Sequence, residues 1–152
     1  MVRLIVGLII FLFVATVDFS AAQYARDALH KAASDGNVEL VLEILRSNPP
    51  KELRDASGGT VLHAAVSQTN TLIITTIIKS GYNVNAVRAM DGNTPLHDAV
   101  YKNNLAAVKL LIENGADTNI KNLKRLTPVE IAERENKKDI TEYFDSVGLD
   151  SK

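Results

Sequence analysis

One tetrapeptide pattern returns along the chain at a nearly fixed interval. It reads Asp27-Ala28-Leu29-His30, Thr60-Val61-Leu62-His63 and Thr94-Pro95-Leu96-His97. The histidines are 33 and 34 residues apart, and a fourth, altered copy, Thr127-Pro128-Val129-Glu130, starts 33 residues after Thr94. A period of this length belongs to a small helical unit that cannot bury its apolar face alone and must stack on copies of itself. The constraint predicts an all-α repeat solenoid and moves the functional question from chemistry to what such a stack grips.

Elementary chemistry assigns a role to each recurring position. Thr60, Thr94 and Thr127 are predicted N-caps whose hydroxyls accept from an early helical amide, and Asp27 takes the same place in the first copy. Pro95 and Pro128 fall at the first helical position, where a missing N–H costs nothing. Leu29, Leu62 and Leu96 point inward, and the small residues after the histidines let neighbouring helices approach. Gly81, Gly115 and Asn48 suit the left-handed residue that ends the second helix of each pair. Ser57-Gly58 and Asp91-Gly92 supply tight turns. Asn85 precedes Thr94 by nine residues whereas Asn119 precedes Thr127 by eight, so the connection over Ala86–Asn93 is predicted to carry one extra residue.

The best copy runs Asp91-Gly92-Asn93-Thr94-Pro95-Leu96-His97, then Val108 to Leu111, Ile112-Glu113-Asn114-Gly115 and Ala116-Asp117. Over roughly Tyr24 to Val147 this resembles the ankyrin repeat. The resemblance implies about four helix-turn-helix units with β-hairpin connections. The units fall near 24–55, 56–89, 90–122 and 123–148, with helices of the first near 27–35 and 38–47. Residues Glu130, Glu133, Arg134 and Glu135 of the closing unit are expected to coat its outside, while Ile131, Ala132, Ile140, Tyr143 and Phe144 face the stack.

The N-terminus differs in kind. Met1-Val2-Arg3 is a short basic start, Leu4 to Val17 carries no charge, and Ser20-Ala21-Ala22 places small residues before Gln23. This is the layout of a secretory signal peptide over 1–22, leaving a single ankyrin-type domain over 23–152. Fourteen residues are short of the ~20 that span a bilayer, which weakens the alternative of a retained anchor. The expected location is a bacterial periplasm or the outside of the cell, with no membrane contact after cleavage and a monomer when free. No cysteine occurs in the 152 residues, so stability must come from the continuous core.

A formal net charge of −1 gives no basic excess to drive counterion release from nucleic acid, and none is expected as partner. Lys121, Lys124, Arg125, Lys137 and Lys138 form a local basic cluster, readable as a solvated face or as a rim for an acidic partner. Three phased histidines invite a metal site. Packed helices lie ~8–10 Å apart, however, and a zinc needs each nitrogen at ~2 Å, so one histidine per unit cannot converge on one ion. The resemblance implies instead that each imidazole bonds backbone between adjacent hairpins. Gly58-Gly59 lacks a following Lys-Thr, no serine sits in a glycine elbow, and Asp27 beside His30 reads as a cap. Neither an enzyme nor a cofactor or metal site is expected.

What remains is binding. The resemblance places the concave face on the hairpin tips and the exposed positions of the first helices. The tips carry Ala56 and Ser57; Arg88, Ala89, Met90, Asp91 and Asn93; and Lys121, Leu123, Lys124 and Leu126. The helix positions are Ser34 and Asp35, Ser67 and Gln68, Tyr101 and Lys102, and Arg134 and Glu135. Met90, Tyr101, Leu123 and Leu126 are apolar or aromatic where solvent is expected, the mark of contact anchors. Leu123 and Leu126 read equally well as packing between hairpins. The resemblance implies a protein partner: small periplasmic ankyrin proteins include some resembling immunity proteins against secreted toxins and others that accompany catalases. The alternative is a secreted effector or venom-like factor that binds host proteins. Leu72, with Thr71, Thr75 and Thr76, leaves one back helix uncharged, either a second contact face or plain surface.

Overall fold

The computed structural model describes residues 23–149, so the segment read as a signal peptide lies outside the described residues. The chain is helical over 23–35 (α1), then over α2 (Val38–Arg46), α3 (Val61–Ala65), α4 (Thr71–Lys79), α5 (Pro95–Tyr101), α6 (Leu105–Glu113), α7 (Pro128–Arg134) and α8 (Lys138–Ser146). Successive pairs stack, with α3 on α5, α5 on α7, α2 on α4, α4 on α6 and α6 on α8. The result is two parallel layers of helices with the core between them. Leu29, Leu62, Leu96 and Ile131 enter it from the first layer, and Val41, Ile74, Ile77, Val108, Leu111 and Phe144 from the second.

The connections between pairs are hydrogen-bonded fingers, and the described residues contain no regular strand. Each finger is closed by one residue that donates its N–H back across the turn: Asp55 to the Gly59 carbonyl (2.9 Å), Arg88 to Asn93 (2.8 Å) and Asn122 to Leu126 (3.0 Å). The second loop spans one residue more than the other two, as the spacing predicts. Neighbouring fingers are tied tip to tip by Met90 N–H on the Ser57 carbonyl (3.1 Å) and Leu123 N–H on Asp91 (2.9 Å). That contact requires glycine. A Cβ on Gly58 would meet the Ala89 Cβ at 2.6 Å and one on Gly92 the Leu123 nitrogen at 2.7 Å, and both residues have positive φ, 80° and 74°.

Second helices are capped by a device that runs in phase and that the sequence reading missed. Asn37, Asn70 and Asn104 each accept from an amide of the first turn, Leu40 (3.0 Å), Leu72 (3.0 Å) and Ala107 (3.1 Å). Their common spacing was the available signal. Asn104 adds a tie between units, its amide nitrogen donating to the Val66 and Gln68 carbonyls at 2.9 and 2.7 Å. The expected left-handed endings hold: Asn48, Gly81 and Gly115 have φ of 49°, 84° and 84°.

Asp27 is not a cap. The described chain is already helical at 23, so Asp27 lies inside α1 and pairs with its neighbour Arg26 at 2.8 Å. The three threonines are N-caps as expected, but their bonds are unequal. Thr127 accepts from the Glu130 amide at 3.1 Å, Thr94 only at a stretched 3.5 Å from His97, and Thr60 makes no such bond. In the two histidine units the hydroxyl sits instead 2.9 and 2.8 Å from the imidazole Nδ1 of His63 and His97.

Candidate functional site

The histidines form a seam along the stack. In the second and third units Nδ1 accepts the N–H of the capping threonine, Thr60 to His63 at 3.0 Å and Thr94 to His97 at 3.1 Å. An accepting Nδ1 leaves the proton on Nε2, which donates to the next finger: His63 to the Asn93 carbonyl and His97 to that of Leu126, both at 3.0 Å. His30 reaches the Gly59 carbonyl at 3.2 Å and, lacking a threonine cap, turns Nδ1 to the Arg26 carbonyl at 2.9 Å. Burial pushes the pKa of His63 and His97 below the ordinary 6.5. Both ring nitrogens of His63 and of His97 are therefore bound to the scaffold.

Glu130 holds the equivalent place in the last unit. Its Oε2 accepts the Thr127 N–H at 2.7 Å, completing a capping box, while Oε1 stays at the surface 3.7 Å from Lys121. The other half of the histidine's task, a donor to the following finger, has no counterpart there among the described residues. A carboxylate can do the first job and not the second.

The fingers carry the variation. Asp55 and Asn122 use their side-chain oxygens to fix their own turns: Asp55 Oδ1 takes the N–H groups of Ser57 and Gly59 at 2.8 and 2.9 Å, and Asn122 Oδ1 those of Lys124 and Leu126 at 3.0 and 3.2 Å. The residue in the same register of finger two is Arg88, which cannot accept a hydrogen bond. The longer loop supplies the substitute, since Asp91 Oδ1 takes the Asn93 N–H at 3.1 Å.

Arg88 is thereby freed to anchor a charge network. Its Nε and Nη2 donate to the two oxygens of Asp91 at 3.0 and 2.7 Å, and Nη1 and Nη2 to those of Asp98 at 2.7 and 2.8 Å. Asn93 Nδ2 joins both carboxylates at 3.0 and 3.1 Å. The guanidinium holds the Asp91 carboxyl below the usual carboxylate range, and the two acids keep Arg88 firmly charged. Bidentate pairs of this kind are rigid as well as strong.

This network forms the floor of an open cleft of about 260 Å³ between the second and third fingers, lined by Arg88, Asp91, Asn93, Asp98, Tyr101, Asn122 and Lys124. Five of the residues expected at a contact face thus share one wall-and-floor arrangement: Arg88, Asp91, Asn93, Tyr101 and Lys124. Met90 and Leu123, in the tips of the same two fingers, are 70% and 71% exposed. Sequence reasoning missed Asp98 and Asn122, whose roles depend on the finger they face.

Other expected contacts divide differently. Asn93 is only 5% exposed, and its groups are spent on Asp91, Asp98, His63 and Asn122, so it is a scaffold residue. Tyr101 and Leu126 pack partly against the core. Gln68 donates its amide to the Ser34 carbonyl, and Ser67 bonds back to Ala64 at 2.8 Å. Lys102 is exposed beside Tyr101. On the back, Leu72 is 54% exposed, and Thr75 and Thr76 donate their hydroxyls to the carbonyls of Thr71 and Leu72.

A family model described as ankyrin repeats (3 copies) matches residues 7–88, 29–122 and 70–146. The chain belongs to the ankyrin-repeat family. The first match begins inside the apolar N-terminal run, and together the three cover the whole described stack. A search of curated proteins found no significant match. The ankyrin-repeat architecture is that of a protein–protein interaction scaffold, and its seam of buried histidines is internal to it.

Proposed function

We propose that the protein is an exported, non-enzymatic ankyrin-repeat scaffold that docks one protein partner on its concave face, as an inhibitor of an exported enzyme or as its accessory. The observation that carries this reading is the cleft between fingers two and three. It has a rigid ionic floor, Tyr101 and Lys124 on its walls, and exposed Met90 and Leu123 in the tips of the two fingers that form it. Exposed apolar side chains beside a tyrosine and an arginine network match the residue types enriched at protein interfaces. The export part of the reading rests on residues 1–22 alone, with their basic start, uncharged run and Ser20-Ala21-Ala22. Among the described residues no helix is long and apolar enough to cross a membrane.

The test is affinity capture from the exported fraction of the native host with two tagged baits, the natural chain and its Met90→Ser/Leu123→Ser variant, each also analysed by intact mass. A partner held by the first and released by the second is expected, with the bait itself beginning at Gln23. Equal recovery on both baits would move the docking site off the fingers, and a bait retaining residues 1–22 would exclude cleavage.

A further inference from the structure

The carboxylates of the cleft are already engaged. Asp91 and Asp98 are both bound by Arg88, and nearby Glu130 accepts the Thr127 N–H and faces Lys121 at 3.7 Å. The cations on the same side are not matched. Lys102, next to Tyr101, and Lys124 and Arg125, on finger three, are exposed and reach no carboxylate among the described residues. Lys124 lines the cleft, and Lys102 and Arg125 each follow a lining residue in sequence; set against the single excess carboxylate of the Arg88–Asp91–Asp98 network, these three cations leave a positive balance in a chain whose formal charge is −1. Arg125 is held there with φ of 61°, a conformation uncommon for a residue with a side chain, so its guanidinium departs from a fixed turn.

Charge alone would also suit a phosphate backbone, but the apolar pair does not. Met90 and Leu123 stand in adjacent fingertips, tied to each other by the Leu123 N–H on the Asp91 carbonyl, while the Met90 N–H binds back to Ser57 of the first finger. Two exposed apolar side chains on the two fingers that flank the cleft provide a seat for one large apolar side chain. The cations beside them provide partners for carboxylates a few residues away along the same segment.

Resting on the concave-face reading above, we propose that the segment of the partner that enters this cleft is a short acidic stretch carrying one large apolar residue. The apolar residue sits between Met90 and Leu123, and its flanking Asp or Glu side chains meet Lys124, Arg125 and Lys102. Arg88 takes no part in the recognition of charge, because its donors are committed to Asp91 and Asp98.

The experiment uses the protein expressed from its full sequence, held through a C-terminal tag, and a displayed library of random peptides of about twelve residues, a length that spans such a surface in extended form. Enrichment of peptides that combine Asp or Glu with one large apolar residue is expected. Their binding should weaken about tenfold in a Lys102→Glu/Lys124→Glu variant and several-fold between about 50 and 500 mM salt, as interfacial charge pairs do. Enriched peptides that lose binding to Met90→Ser/Leu123→Ser but are neutral or basic would overturn the acidic assignment and leave the cleft as the docking site. Acidic peptides indifferent to that variant would overturn the cleft itself. Failure to enrich any family would exclude a short segment, and a single-stranded oligonucleotide binding with the same sensitivity to Lys102→Glu/Lys124→Glu would replace the peptide with a nucleic acid.

Discussion

The histidine seam and the fingertips lie a few residues apart in every unit and obey opposite rules. Along the seam the same job is done by the same atoms, with His63 and His97 making matching bonds at 3.0–3.1 Å on one side and 3.0 Å on the other. At the tips fingers one and three close their turns alike, through Asp55 and Asn122, and finger two departs from them, through Asp91 in place of Arg88. What repeats is what each unit needs in order to stack. What departs from the repeat is free to serve something outside the stack.

The largest expected effect lies on the seam. Replacing His97 with alanine removes a fully buried side chain and leaves the Thr94 N–H and the Leu126 carbonyl without their partner. Lost packing and two stranded backbone groups together cost about 3 kcal/mol, which for a domain of this size lowers the melting temperature by roughly 10 °C. Thermal unfolding followed by circular dichroism checks this. The matching change Glu130→Ala strips only an end cap and should lower the melting temperature less. If Glu130→Ala were as damaging as His97→Ala, the link to the following finger would not be what the histidine contributes.

The second test uses pH. His63 and His97 have pKa values depressed by burial from 6.5, so the unfolded chain takes up protons that the folded one refuses. The unfolded state then binds more protons, and stability rises with pH across the interval between the folded values and 6.5. The contribution is complete above about pH 6.5 and is lost as pH falls below it. Asp55 and Asp91, whose pKa values lie below the ordinary 3.8, add their own loss only at more acidic pH. Chemical denaturation at a series of pH values between about 7.5 and 5 should show this decline. A His63→Gln/His97→Gln variant should flatten it, whatever its absolute stability. An unchanged slope in that variant would assign the titration to another group.

The seam was legible in the sequence because its residues are in phase: the period, the threonines, the prolines and the glycines all report on the same local geometry. Asp27 was misread because the tetrapeptide was followed as a pattern; without a threonine and proline, nothing in that copy stops the helix from extending back past it. The asparagine caps at 37, 70 and 104 were as periodic as the histidines and could have been found the same way. The cleft was only partly legible. Its members were named from their positions on the fingers. That Arg88 would turn inward onto Asp98, and that Asn93 would be buried, depends on one inserted residue and on contacts between units, which no single-copy pattern encodes. Tyr101 was taken as a free anchor; in place it shares its ring between the cleft and the core, so its removal mixes the two effects.

The smallest expected effect on the fold is therefore the one most informative about function. Met90 and Leu123 are 70% and 71% exposed, and both bond their neighbours through backbone atoms that any side chain leaves in place. The double change Met90→Ser/Leu123→Ser should shift stability by no more than about 0.5 kcal/mol, the usual range for exposed sites. Its melting curve should then overlay that of the natural chain, against the large displacement for His97→Ala. The opposite ordering is expected for binding: His97→Ala retains the partner in whatever fraction remains folded, and the serine pair releases it. A serine pair that also melted early would mean that the fingertips support the stack as well, and the division between a repeated scaffold and a variable contact surface would fail at the place where it is drawn most sharply.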